Sequence, residues 1–200
     1  MRSNNEQLSW SIAMGRFSRW LERQSKGWLV LVGLAIFVGF LGFVLPQQAQ
    51  KSQQYSAEVG SPDSSLFYSA DDLYRFAEAY GPEGRAAYVS ARFSFDLIWP
   101  LAYTLFLATA ISWLGQRTFA AGSPWRLLNL VPIIGLGLDY AENCGAALVM
   151  GRYPERTPII DWLTPWLSAS KWLFVNGSFV VLVGVGLAYL WQRIKKHRSK

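Results

Sequence analysis

Asp139 and Glu142 stand inside the apolar stretch LLNLVPIIGLGLDYAENCGAALVM, where an ionisable side chain needs a reason. Each such group costs about 2.5–3.5 kcal/mol at the centre of a bilayer. On a helix the two lie about 4.5 Å apart along the axis. Pro132, Gly135, Asp139, Glu142, Asn143 and Ala146 share one side at helical spacing. A second apolar stretch, FSFDLIWPLAYTLFLATAISWLG, puts Asp96, Pro100 and Tyr103 on one face. A third offers Asn176, with Lys171 at its outer end. Carboxyl, amide and phenol groups in such a place bind a small ligand, a lipid or a cation, or pass a proton. Asp96, Tyr103, Asp139, Glu142, Asn143 and Asn176 are therefore the candidate site. They are expected to line one pocket, open to the outer side and deepest at Asp139. Arg92 sits one turn before Asp96 and can pair with it. Arg152 is about 15 Å along the axis from Glu142, too far to pair. With no cation close on that stretch, the pocket is expected to hold a proton, a cation or a cationic ligand. The alternative is a hydrogen-bonded clamp that fixes helix register and binds nothing.

These residues require a frame that crosses a membrane. The chain has 200 residues, 52% of them hydrophobic and 16% charged, and the apolar ones fall in four blocks. Residues 28–45, 96–115, 127–150 and 172–191 are the expected spans. Eighteen residues in the first reach roughly 27 Å, enough for the hydrocarbon core. Too long a polar segment precedes that block for a cleaved signal peptide, so it reads as an anchor. The block at 127–150 is marginal alone: its Leu, Ile and Val return only about 3–5 kcal/mol against two acids. It must be surrounded by protein. Gly137, Ala141 and Gly145 form a small-residue ridge on its opposite side, expected to admit a close helix neighbour. No strand alternation or repeat supports a β-barrel. The fold class is all-α: a polytopic four-helix membrane bundle.

The basic residues orient it. Twelve of the nineteen Lys and Arg fall in residues 1–27, 116–126 and 192–200, and seven in the longer segments 46–95 and 151–171. That bias puts both termini in the cytoplasm. Trp28, Trp113, Trp125 and Trp191 then mark the inner interface, and Trp99, Trp162, Trp166 and Trp172 the outer one. The net charge of +6 thus reads as orientation and lipid contact, not as a nucleic-acid surface.

Three segments lie outside the spans. Residues 6–24 read as a basic amphipathic helix, with Trp10, Met14, Phe17 and Leu21 on one face and Arg16, Arg19 and Arg23 opposite. Those three arginines are expected to touch the membrane surface. Residues 46–66 are rich in Gln, Ser and Ala and read as an exposed linker. Ser69 then caps a helix with Asp71 and Asp72 in its first turn. Gly81 ends that helix and Pro82 starts the next, which can run into the second span. Together these make a small extracytoplasmic helical cap.

Composition also excludes chemistry. Cys144 and His197 are the only Cys and His, so an internal disulfide, a Cys or His metal site and Ser–His catalysis are not expected. No cofactor or metal is expected. Gly135-Leu136-Gly137-Leu138-Asp139 is similar to the Gly-x-Gly-Asp motif of intramembrane aspartyl proteases. One extra residue separates the second Gly from the acid, and Asp96 would be a shallow partner. The segments GPEGRAAY, FDLIWPLAY and LDYAEN resemble a pattern in uncharacterised four-span bacterial membrane proteins. That resemblance implies a bacterial inner membrane and supplies no activity to carry over. The expected function is non-enzymatic: a transporter-like or accessory subunit, alone as an oligomer or in a larger complex. A carboxylate-dependent enzyme acting on a lipid or peptide, with unassigned catalytic residues, and a structural scaffold are the alternatives.

Overall fold

The computed structural model describes residues 2–56 and 59–198; the side chain of Trp10, and Lys200, lie outside the described part. Every regular element among the described residues is helical. The order is α1 (Arg2–Gln24), α2 (Gly27–Gly39), α3 (Leu45–Ser56), α4 (Ala70–Ala79), α5 (Gly81–Arg92), α6 (Phe95–Thr118), α7 (Val131–Arg152) and α8 (Ile160–Arg198). Short 3-10 turns at Pro62–Ser64 and Pro124–Leu130 fill two of the connections.

Three continuous helices are long and apolar enough to cross a membrane: Gly27–Ser56, Gly81–Thr118 and Ile160–Arg198. The expected span at 127–150 corresponds to α7, 22 residues long, which is not one of the three. Asp139, Glu142 and Asn143 dilute its apolar character. The three carry large side chains that face outward: Leu31 is 67% exposed, Phe43 74% and Val180 71%. Such an apolar skin suits lipid rather than water. The protein is thus helical and membrane-bound in character.

Two stretches differ from the sequence reading. Residues 46–56 are helix, not linker, and continue α2 through a π turn at Phe40–Val44. Extending an existing helix avoids the costly nucleation step, so Gln, Ala and Lys suffice there. The π turn precedes Pro46, which has no N–H to give to the preceding turn. Likewise α8 starts at Ile160, so most of the expected outer loop 151–171 is helix.

Local signals hold elsewhere. Ser69 Oγ accepts from the Asp72 N–H at 3.1 Å and the Asp72 carboxylate accepts from the Ser69 N–H at 2.8 Å. Gly81 ends α4 at φ +63°, a conformation that favours glycine, and Pro82 lies in the first turn of α5. Only Phe93 and Ser94 separate α5 from α6.

Packing sets the site. α8 lies along α7 and α6, and α2 along α6. A Cβ on Gly33 would stand 3.0 Å from the Phe106 backbone, so that glycine lets α2 approach α6 closely. Phe37 stacks with Trp99 and Phe106 at centroid distances of 5.7 and 5.3 Å. At one end α4 and α5 press Leu73, Phe76, Ala77 and Tyr88 onto Ala146, Val149 and Met150 of α7. The glycine ridge of α7 is not one packed seam. Gly145 is buried, with a would-be Cβ 2.4 Å from Thr164 Oγ1 on α8, while Gly137 has open space and Ala141 is exposed. Gly135, on the polar side, is the second close approach to α8.

At the other end α1 docks through polar groups. Ser18 Oγ donates to Asn129 Oδ1 at 2.9 Å, and Asn129 Nδ2 donates to Ser112 Oγ at 2.9 Å. Arg126 pairs with Glu22 at 3.2 Å. Ile12, Met14, Phe17 and Trp20 are left exposed, as are Arg16, Arg19 and Arg23. Leu21, expected on the apolar face, is half-buried.

Candidate functional site

α7 carries the centre of the site because its polar face turns inward: Asp139, Glu142 and Asn143 are all buried. Asp139 accepts from the Tyr103 hydroxyl of α6 at 2.8 Å and from Asn143 Nδ2, one turn on, at 2.9 Å. Asn143 Oδ1 accepts from Arg92 at 3.2 Å. Arg92 ends α5, only 8% exposed, and grips Asp63 with both terminal nitrogens, one contact measuring 2.8 Å. The Tyr88 ring lies 4.4 Å under its guanidinium. The expected Arg92–Asp96 pair forms, at 2.9 Å. It is an ion pair by distance but is not aligned as a hydrogen bond, and Asp96 Oδ2 and Arg92 Nε have no hydrogen-bond partner. A continuous chain thus links Asp63, Arg92, Asn143, Asp139 and Tyr103.

Glu142 belongs to a second cluster. It is fully buried, accepts from Lys171 Nζ of α8 at 2.8 Å and from the Tyr68 hydroxyl at 3.2 Å. Burial, and then the Glu142 carboxylate beside it, push the Tyr68 hydroxyl well above its ordinary range, so it remains a donor. Among the described residues, no cation on α7 itself reaches these acids, yet the inference that a bound proton or cation must balance them does not follow. The cations come from α5 and α8, not from α7, and distance along one helix says nothing about its neighbours.

A cavity of about 1260 Å³ lies between α2–α3 and the α5–α8 face. Of the expected site residues, Asp96, Tyr103, Asp139, Asn143 and Asn176 line it; Asn176 is exposed on α8. Glu142 does not line it and sits behind Lys171, which does. So the six residues do not share one surface, although five do. Asp63, Arg92 and Lys171 join them on the wall. Apolar and aromatic side chains also line it: Phe37 and Leu41 from the α2 side, and Trp99, Trp172 and Phe179 beside the polar residues of α6 and α8. The rim on α3 is polar and includes Lys51 and Gln54.

Sequence reasoning missed Asp63 and Tyr68, which lie in the stretch read mostly as linker. The available signal was Ser61-Pro62-Asp63, a capped turn: Ser61 Oγ accepts from the Asp63 N–H. Lys171 was visible at the edge of an apolar block, where such a lysine either snorkels outward or finds a buried acid. Chemically, the wall can hold a charged or zwitterionic head and the aromatic side can hold hydrocarbon. Comparison with protein families, curated proteins and solved structures finds no match for the chain.

Proposed function

We propose that the chain is a four-span protein of a bacterial inner membrane that binds a lipid or similar amphiphile in this cavity. α7 is the remaining span, with both termini in the cytoplasm. It acts without catalysis, as a transporter-like or accessory subunit, with itself or in a larger membrane complex. One observation carries the reading: a cavity of about 1260 Å³ has a charged, hydrogen-bonded wall and an aromatic one. That is more room than a small metabolite needs. A register clamp needs the ion pairs but not the space beside them, which is why binding is preferred to scaffolding.

Aromatic clustering supports the topology. The Trp113 ring lies near Gly27 and Tyr189, grouping the expected inner ends of α2, α6 and α8. Phe40 stacks on Trp99 at the opposite ends. α1, with its exposed arginines beside Phe17 and Trp20, suits an anionic leaflet.

Two measurements test the proposal. Native mass spectrometry of the purified full chain should find a bound amphiphile, and Ala91→Trp, which fills the cavity wall on α5, should remove it. An unchanged spectrum would refute binding there. In a Cys144→Ser background, Ala121→Cys and Glu155→Cys should react with impermeant thiol reagents from opposite sides. Reaction from one side would refute the fourth span.

A further inference from the structure

The occupant's head group can be narrowed, on the basis of the amphiphile reading above. Four carboxyl groups surround the polar wall, Asp63, Asp96, Asp139 and Glu142, against two cations, Arg92 and Lys171. Both cations are engaged: Arg92 by Asp63 and Asp96, Lys171 by Glu142. Among the described residues, Asp139 has hydrogen bonds only from the neutral Tyr103 and Asn143. Asp96 is 8% exposed and lines the cavity; its Oδ2 is taken up by the Arg92 ion pair at 2.9 Å, without an aligned hydrogen bond. What the wall lacks is therefore a positive donor. An anionic head would face an excess of carboxyl groups at short range, in surroundings where water screens them little. Lys51, on α3, is the further cation lining the cavity.

We propose that the bound amphiphile carries an ammonium head group held by Asp96 and Asp139, with its hydrocarbon against Phe37, Trp99 and Phe179. Two sources share this chemistry: an aminophospholipid of the bilayer, whose phosphate would lie towards Lys51, and a free long-chain amine.

The test measures binding to the full chain in maltoside micelles by thermal stabilisation. The probes are phosphatidylethanolamine, its N-acetylated form, phosphatidylglycerol, dodecylamine and dodecanol. Each amine should bind about tenfold or more tighter than the counterpart that lacks its ammonium group, the effect of a charged hydrogen bond. Asp139→Asn and Asp96→Asn should each reduce that preference to about threefold or less, while dodecanol binding stays within about twofold. Should one variant fail to fold, the other carries the test. Tighter binding of the phospholipid assigns a bilayer source, and tighter binding of dodecylamine assigns a free base; both support the proposal. Equal binding of all five probes, or preference for phosphatidylglycerol, overturns the ammonium head and leaves the amphiphile reading standing. Binding of none overturns both.

Discussion

Lys171→Met should be the most destabilising single change at the site. Glu142 is fully buried, and Lys171 Nζ, 2.8 Å away, is its only ion-pair partner among the described residues. Removing the lysine leaves Glu142 with the Tyr68 hydroxyl alone. Breaking a buried pair on one side costs about 3–5 kcal/mol, because the remaining charge is uncompensated. Replacing both partners with apolar residues of similar volume is far milder, often neutral. The pair Lys171→Met and Glu142→Leu should therefore recover about 2 kcal/mol or more relative to Lys171→Met alone. The assay is reversible unfolding of the purified chain in mixed micelles, run as a double-mutant cycle. Tyr68→Phe should be included, since it removes the second donor and leaves the pair intact. If the single and double variants are equally unstable, the ion pair is not what holds α8 to α7, and the reasoning fails.

Three more outcomes follow from the packing. Gly145→Ala should cost about 1–3 kcal/mol, since its Cβ would meet Thr164 Oγ1 at 2.4 Å, whereas Gly137→Ala, in open space, should be neutral or stabilising by up to about 1 kcal/mol; unfolding of the two variants side by side checks this. Asn129→Leu should free α1, because it removes the acceptor of Ser18 and the donor to Ser112; hydrogen exchange of residues 12–24 should speed up while that of α6 stays unchanged. Ser69→Ala should cost about 0.5–2 kcal/mol near neutral pH. The Ser69 N–H and hydroxyl hold the Asp72 carboxyl below its usual range. A lowered folded value stabilises above the unfolded pKa of about 3.9 and is lost as pH falls through the folded one. The gap between the two proteins should thus narrow below about pH 4, and a gap that widens on acidification would contradict the capping account.

The parts legible in the sequence are those decided by neighbours along the chain. Ser69 with Asp72, Gly81, Pro82 and the Arg92–Asp96 spacing each act within one turn, and each occurs as read. The polar face of α7 was legible for the same reason, since 3.6-residue periodicity is a local property. Helix α3 was not, because nothing in Pro46 to Ser56 marks it as helical. It is helical because α2 precedes it. Asp63 and Tyr68 were not legible either, because their partners lie 29 and 74 residues away.

The same distinction bears on α7 itself. Its two acids and Asn143 keep it from standing among the long apolar helices. In the proposed four-span arrangement those groups would be costly facing lipid. Each is instead met by a side chain from another element: Tyr103 from α6, Arg92 from α5, Lys171 from α8 and Tyr68 from the segment before α4. The residues that make α7 a poor span alone are therefore the ones that attach it to α5, α6, α8 and the segment before α4. In that arrangement its position in the membrane would be a tertiary property. Changes such as Lys171→Met should loosen α7 against α8 and distort the cavity wall together, so loss of the amphiphile and loss of stability should track one another across variants of this network. Among variants of the exposed residues Leu31, Phe43 and Val180, which lie outside the cavity lining, that correlation should be absent.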